Sequence, residues 1–194
     1  MPFKRPSGFS LLELMITLSV AGILTVIAYP DMRNFLYHNR VIAQSNSVQA
    51  DLQLARGQAA ATRSYVSICP LAQAGGSACD TSGTSYDQGW LVYTATTPNT
   101  AYDATVAGSL QHVAPAAGNI SIRVANGGVL TYNARGELLV AGSDTTSTTF
   151  TICSNPTDAS VGTSTTAVPG VQLSVANSGR IASSTLAGGA SCGT

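Results

Sequence analysis

The chain has 194 residues, nine basic against nine acidic side chains, and a formal net charge of zero. With only 9% of its residues charged, it lacks the concentrated basic stretch with which a nucleic-acid-binding domain displaces counterions from phosphates. Its length fits one modest globular domain plus a further segment, and that segment lies at the front.

Phe9 to Tyr29 is a run of 21 residues whose only charge is Glu13. Lys4 and Arg5 precede it; Asp31 and Arg33 are the next charges. A helix of that length rises about 30 Å, enough to cross the hydrocarbon of a bilayer. Basic residues stay on the cytoplasmic side, so Lys4 and Arg5 predict a single-pass anchor in the inner membrane with the rest of the chain exported. An ordinary secretory signal has a shorter apolar core with a small-residue cleavage site after it. A plain anchor has no use for Glu13, because a carboxylate within a membrane helix costs up to about 2.5–3.5 kcal/mol and persists where a partner neutralises it.

Lys4-Arg5-Pro6-Ser7-Gly8-Phe9-Ser10-Leu11-Leu12-Glu13 resembles the class III signal of type IV prepilins: a short basic leader, then Gly-Phe, then a glutamate as the fifth mature residue. The resemblance implies that residues 1–8 are a leader, that a prepilin peptidase cuts between Gly8 and Phe9, and that the new amino terminus of Phe9 is methylated. It also implies that Glu13 pairs with the α-amino group of Phe9 on a neighbouring subunit, in a low-dielectric bundle where Coulomb attraction is strong. Pro30 falls where helices of this family weaken, and proline's missing donor and steric clash predict a kink there on physical grounds as well.

Helical patterning continues beyond Pro30. Val41, Val48, Leu52, Ala55 and Ala59 fall on one helix face, broken only by Ser45, while Arg40, Gln44, Ser47, Asp51 and Gln58 are expected on the polar side. The spacing predicts one helix from about Phe9 to Thr62, roughly 80 Å long, whose membrane half is 9–30 and whose amphipathic half, 31–63, packs on the chain's own sheet. Residues 31–63 carry four arginines against two aspartates, so +2; from Ser64 onward three arginines face five aspartates and one glutamate, so −3.

After Arg63 the texture turns to Ser, Thr, Gly and Ala with short β-branched runs, predicting a β-rich head over 64–194. Candidate strands are Tyr65–Cys69, Gly89–Thr94, Ile120–Ala125, Val129–Tyr132, Glu137–Val140, Thr148–Cys153 and Val171–Ala176. Alternation in Ile120-Ile122-Val124 and Val171-Leu173-Val175 gives each of those strands one buried face. Asn-Gly-Gly at 126–128 and Asn-Ser-Gly at 177–179 are turn chemistry, and the Ser/Thr-rich stretches 94–105 and 154–168 read as exposed loops. The fold class is therefore α+β, with a long N-terminal helix on an antiparallel sheet.

Cys69, Cys79, Cys153 and Cys192 all lie beyond the apolar run, and an even count on the exported side predicts two disulfides. Nearness in sequence favours Cys69–Cys79, which leaves Cys153 to tie down the tail at Cys192. A zinc site is the competing use of these cysteines, but there is no CxxC pair, and His38 and His112 are the only histidines.

Leu54-Ala55-Arg56-Gly57-Gln58-Ala59, Val66-Ser67-Ile68-Cys69, Gly89-Trp90-Leu91, Phe150-Thr151-Ile152-Cys153 and Asn177-Ser178-Gly179-Arg180-Ile181 resemble segments of the GspH/FimT family of minor pilins and pseudopilins. The resemblance implies a structural subunit of a type IV pilus, acting in assembly, priming or a tip complex. The alternatives are a type II secretion pseudopilin or a DNA-binding pilin of natural transformation. It implies other major and minor pilins as partners and no cofactor. DNA-binding members of the family carry Gly-Arg-x-Arg; Gly179-Arg180-Ile181-Ala182 keeps one of the two arginines, so Arg180 offers a single phosphate contact at most and is expected to serve a turn. Trp90 reads as core packing, and Arg56 and Arg63 as a solvated helix face. No Ser-His-Asp order, GxSxG, phosphate loop or metal cluster points to catalysis.

Overall fold

The structure is a computed structural model, and it describes residues 9–106, 108–115, 117–140, 147–157 and 159–193. The chain forms two compact units, Met1–Leu36 and Tyr37–Thr194. One helix, α1, spans Leu11–Thr62. Pro30 lies inside α1 and does not end it.

In the second unit α1 buries the expected stripe of Val41, Val48, Leu52, Ala55 and Ala59, together with Ser45. Asp51 departs from expectation: it is buried too. It comes three residues after Val48 and four before Ala55, so it sits at the margin of the stripe, where a sheet residue can reach it. The helix ends at Arg63, which adopts φ 53°.

Nine strands follow among the described residues. Five form one antiparallel sheet in the order β3-β2-β1-β5-β6: β1 Tyr65–Pro70, β2 Trp90–Ala95, β3 Leu110–Ala114, β5 Leu130–Tyr132 and β6 Leu138–Val140. The other four make a second antiparallel sheet in the order β4-β7-β8-β9: β4 Ile120–Val124, β7 Thr148–Ser154, β8 Val171–Val175 and β9 Ile181–Thr185. The seven anticipated strands are present, within about a residue at each end. β3 and β9 are additional, and both are sheet edges with mostly exposed side chains. An edge strand with water on its outer side carries no apolar alternation, so its periodicity does not stand out in the sequence.

Strand β1 is buried on both faces because it is central. Val66 and Ile68 join α1, Trp90, Val92, Leu130, Phe150 and Leu173 in the main core. On the opposite face Cys69, Leu71, Leu91, Tyr93 and Val129 make a second, smaller cluster, closed by Cys79, Ala95 and Tyr102. Stretches 94–105 and 154–168 are largely loop, but they are not wholly exposed: Tyr102 helps close the second cluster, and Ser164 and Val168 are buried.

Tyr86 links the two sheets. Its backbone N–H donates to the Ile122 carbonyl at 2.9 Å and its hydroxyl to the Gly128 carbonyl at 2.9 Å. Its ring meets Phe150 edge-on at 5.2 Å. Asp87 secures the same segment, accepting from the Ile122 N–H at 2.6 Å and pairing with Arg123 at 2.7 Å. The otherwise open edge of β4 is thus occupied by the chain at 84–87.

Candidate assembly segment and head surface

In the first unit, every large apolar side chain from Phe9 to Leu36 is at least half exposed. A helix apolar on all sides is costly to leave in water, at about 25 cal/mol per Å² of apolar surface, which is consistent with a membrane anchor. The helix is long and apolar enough to cross a membrane. Its start is capped: the Ser10 hydroxyl accepts from the Glu13 backbone N–H at 3.4 Å, and the Ser10 carbonyl accepts from the Leu14 N–H at 3.2 Å. Ser10 and Glu13 are spaced as a capping box, and Glu13 sits in the first turn, where the helix dipole favours a carboxylate. Phe9 is exposed beside it. Lys4, Arg5 and Gly8, the leader and the residue before the expected cut, lie outside the described residues.

In the head, Trp90 is core, as its apolar surroundings require, and its indole N–H donates to Asp51 Oδ2 at 2.8 Å. His112 Nε2 approaches the same carboxylate oxygen at 3.7 Å. This places a histidine beside an aspartate, but the third group is an indole, which cannot act as a nucleophile. Among the described residues no three His, Cys, Asp or Glu side chains come together as a metal site. Both cysteine pairs are bonded, Cys69 to Cys79 and Cys153 to Cys192. The second bond anchors the tail, whose Ser191 bridges to Thr163 and through it to Ser154.

Arg180 lies in the β8–β9 turn, where its carbonyl accepts from the Ala176 N–H at 2.9 Å. The turn role expected of it is thus met by its backbone. Its side chain lines a groove shared with Arg56 of α1 and Arg135 of the β5–β6 turn. This convergence was not legible in the sequence, where the three arginines are spread over 125 positions of a chain with no net charge. Arg56 is exposed, as expected of a solvated helix face, and its side chain lies against Gly136 and Gly179.

Comparisons with known proteins agree with this architecture. Residues 44–179 match the family model described as type II transport protein GspH, and residues 3–29 match the prokaryotic N-terminal methylation motif. No curated protein shows significant sequence similarity to the chain. Among solved structures, the type IV minor pilin FimU of Pseudomonas aeruginosa, in a P21 crystal form, aligns with TM-score 0.51 and 23% identity, covering 76% of this chain and 90% of that one. Its P65 crystal form aligns with TM-score 0.47 and 20% identity over 73% of this chain and 90% of that one. The structural likeness speaks to the fold, whereas the family model covers most of the sequence, including the helix end, every strand but β9 and three of the four cysteines. With an exposed apolar helix start inside a methylation motif and a head matched over most of its length by that model, the chain belongs to the GspH family.

Proposed function

We propose that the chain is a minor pilin of a type IV pilus, held in the inner membrane by α1 with its head in the periplasm until it enters the fibre. The observation that carries this reading is the exposed apolar surface of α1 up to Leu36, with Glu13 in its first turn, inside a matched methylation motif. Prepilin peptidase would cut between Gly8 and Phe9 and methylate Phe9. Helices of neighbouring pilins would then cover the apolar surface, and Glu13 would meet an incoming α-amino group. Lys4 and Arg5 keep the leader cytoplasmic, so the four cysteines oxidise on the far side.

A second reading, a pseudopilin of type II secretion, is favoured by the description of the matched family. Deleting the gene and scoring twitching, enzyme secretion and DNA uptake in parallel separates the machines. Loss of twitching alone supports the pilus, and loss of secretion alone supports the pseudopilus. A strain unaffected in all three refutes both.

A further inference from the structure

Three arginines reach one groove of about 540 Å³ from three separate elements: Arg56 from α1, Arg135 from the β5–β6 turn and Arg180 from the β8–β9 turn. The turns belong to different sheets, and the Leu138 N–H, donating to the Asn177 carbonyl at 2.7 Å, ties them together. The floor between them is bare backbone. Gly136 and Gly179 adopt φ 73° and 72°, and a Cβ at Gly179 would lie 2.4 Å from the Gly136 carbonyl oxygen and 2.7 Å from Arg56 Nε. The Arg56 side chain therefore rests on two glycines, which limits the rotamer freedom it would lose on binding.

The groove is also electrostatically unbalanced. Glu137 Oε2 accepts from Arg135 Nε at 2.9 Å. Among the described residues no other acid lies within ion-pairing distance of the three guanidinium groups. Three positive charges and one negative leave a local excess of +2, on a head that sums to −3 beyond Arg63. An adjoining groove shares Arg135 and adds Arg63.

We propose that this groove docks an acidic segment of a neighbouring fibre subunit, one presenting about two carboxylates to Arg56 and Arg180. The inference rests on the reading of this chain as a fibre subunit and names the chemistry of one of its partners. Guanidinium groups take carboxylates in planar, two-pronged hydrogen bonds, and Arg135 already holds the Glu137 carboxylate at 2.9 Å. A nucleic-acid duplex fits less well. It carries one negative charge per roughly 1.7 Å of axis, so it would overrun this small patch and lie against the acidic remainder of the head.

The test places a photo-crosslinking amino acid at Gln53, an exposed residue of the groove wall, in the full-length chain in cells. Sheared fibres are collected, crosslinked and digested, and the joined peptide is identified by mass spectrometry. The expected product joins Gln53 to a pilin head peptide with Asp or Glu within a few residues. Arg180→Glu should lower that product about tenfold or more, since each charge-assisted pair corresponds to at least that ratio. Arg180→Lys should lower it less, and exchanging the partner's acid for lysine should restore it in Arg180→Glu. Arg180 is exposed, so unchanged protease resistance of the variant separates lost docking from lost folding. A crosslink to nucleic acid, a partner peptide without acids, or a yield indifferent to Arg180→Glu overturns the groove proposal while the chain is still found in fibres. A chain never found in fibres overturns both the groove and the reading beneath it.

Discussion

The indole N–H of Trp90, on strand β2, donates to the carboxylate of Asp51, on helix α1, at 2.8 Å, and both groups are buried. This bond crosses the packing boundary between helix and sheet, where the surrounding contacts are otherwise apolar and non-directional. It ties the position of the helix along the sheet to one directional contact, because a buried carboxylate moved away from its donor is costly.

Removing that donor leaves a buried carboxylate unpaired on one side. Trp90→Phe should destabilise the Tyr37–Thr194 unit by about 2–4 kcal/mol, from the lost bond together with the smaller ring. Asp51→Asn keeps an acceptor and should cost about 1 kcal/mol or less. Urea unfolding of Trp90→Phe, Asp51→Ala and the double variant measures the coupling. A coupling near zero would mean that the two groups act independently.

His112 stands 3.7 Å from the same Asp51 oxygen, with its side chain 44% exposed. The sequence alone gave no reason to join these residues, since they are 61 positions apart and β3, which carries His112, has no legible strand pattern. Elements with apolar periodicity were readable: the stripe on α1, and the alternations of β4 and β8, although on β4 the intervening Ser121 is buried as well. Residues whose environment depends on a distant partner were not. Asp51 reads as polar and solvated until Trp90 is placed over it. In the same way, the basic groove exists only because the turns of two sheets meet beside the end of α1. The exposed start of α1 was the most legible part, because an apolar run interrupted by one carboxylate constrains its surroundings without any tertiary information.

Three buried tyrosines give the head an alkaline limit. Burial, chiefly, pushes the hydroxyl of Tyr86 well up, with Tyr93 and Tyr132 adding repulsion; it pushes Tyr93 up to about 12; and it raises Tyr132 further, against a smaller downward pull from Arg56. A phenol whose folded pKa exceeds its unfolded value favours the folded state fully below about pH 10 and loses that contribution as pH rises through the folded value. Stability of the Tyr37–Thr194 unit should therefore fall above about pH 10. Absorbance titration should show these three phenols ionising only together with loss of structure. Their ionisation in a still-folded head, in step with the exposed tyrosines, would contradict the burial.

The acid side rests on weaker features. Hydrogen bonds from Asn133 and then Arg135 hold Glu137 below the ordinary carboxylate value of 4.5, and Thr105 does the same for Asp103. Each contribution is complete above the unfolded pKa and disappears as pH falls through the lower folded one. In Asn133→Ala, the Glu137 titration followed by NMR should move up toward 4.5. An unmoved titration would show that Arg135 alone sets it.

The two disulfides should differ in value. Cys153 and Cys192 are separated by 39 residues, Cys69 and Cys79 by 10. Loop-closure entropy assigns roughly 4 kcal/mol to the longer loop and roughly 3 kcal/mol to the shorter. Replacing Cys153 and Cys192 together by serine should also loosen the tail strand, since the Thr163–Ser191 bridge then has no covalent anchor beside it. Hydrogen exchange over 186–193 reads this directly. Protection there equal to the disulfide-bonded protein would show that the bond adds nothing to local order.

Glu13 offers the sharpest test of assembly, because its cost and its use occur in the same place. A carboxylate in the first turn of an uncovered apolar helix pays up to about 2.5–3.5 kcal/mol for residing in the membrane. The helix dipole recovers only part of that. Glu13→Val removes the cost, so the chain should reside in the membrane at least as well as the natural one. If an incoming amino terminus is what the carboxylate awaits, Glu13→Val should at the same time enter sheared fibres at least tenfold less. Glu13→Gln, nearly the same shape but uncharged, should resemble Glu13→Val, while Glu13→Asp should retain part of the incorporation. Quantifying the chain in membranes and in fibres for all three separates charge from shape. Full incorporation of Glu13→Gln would show that hydrogen bonding or packing, and not charge neutralisation, places this residue at the start of α1.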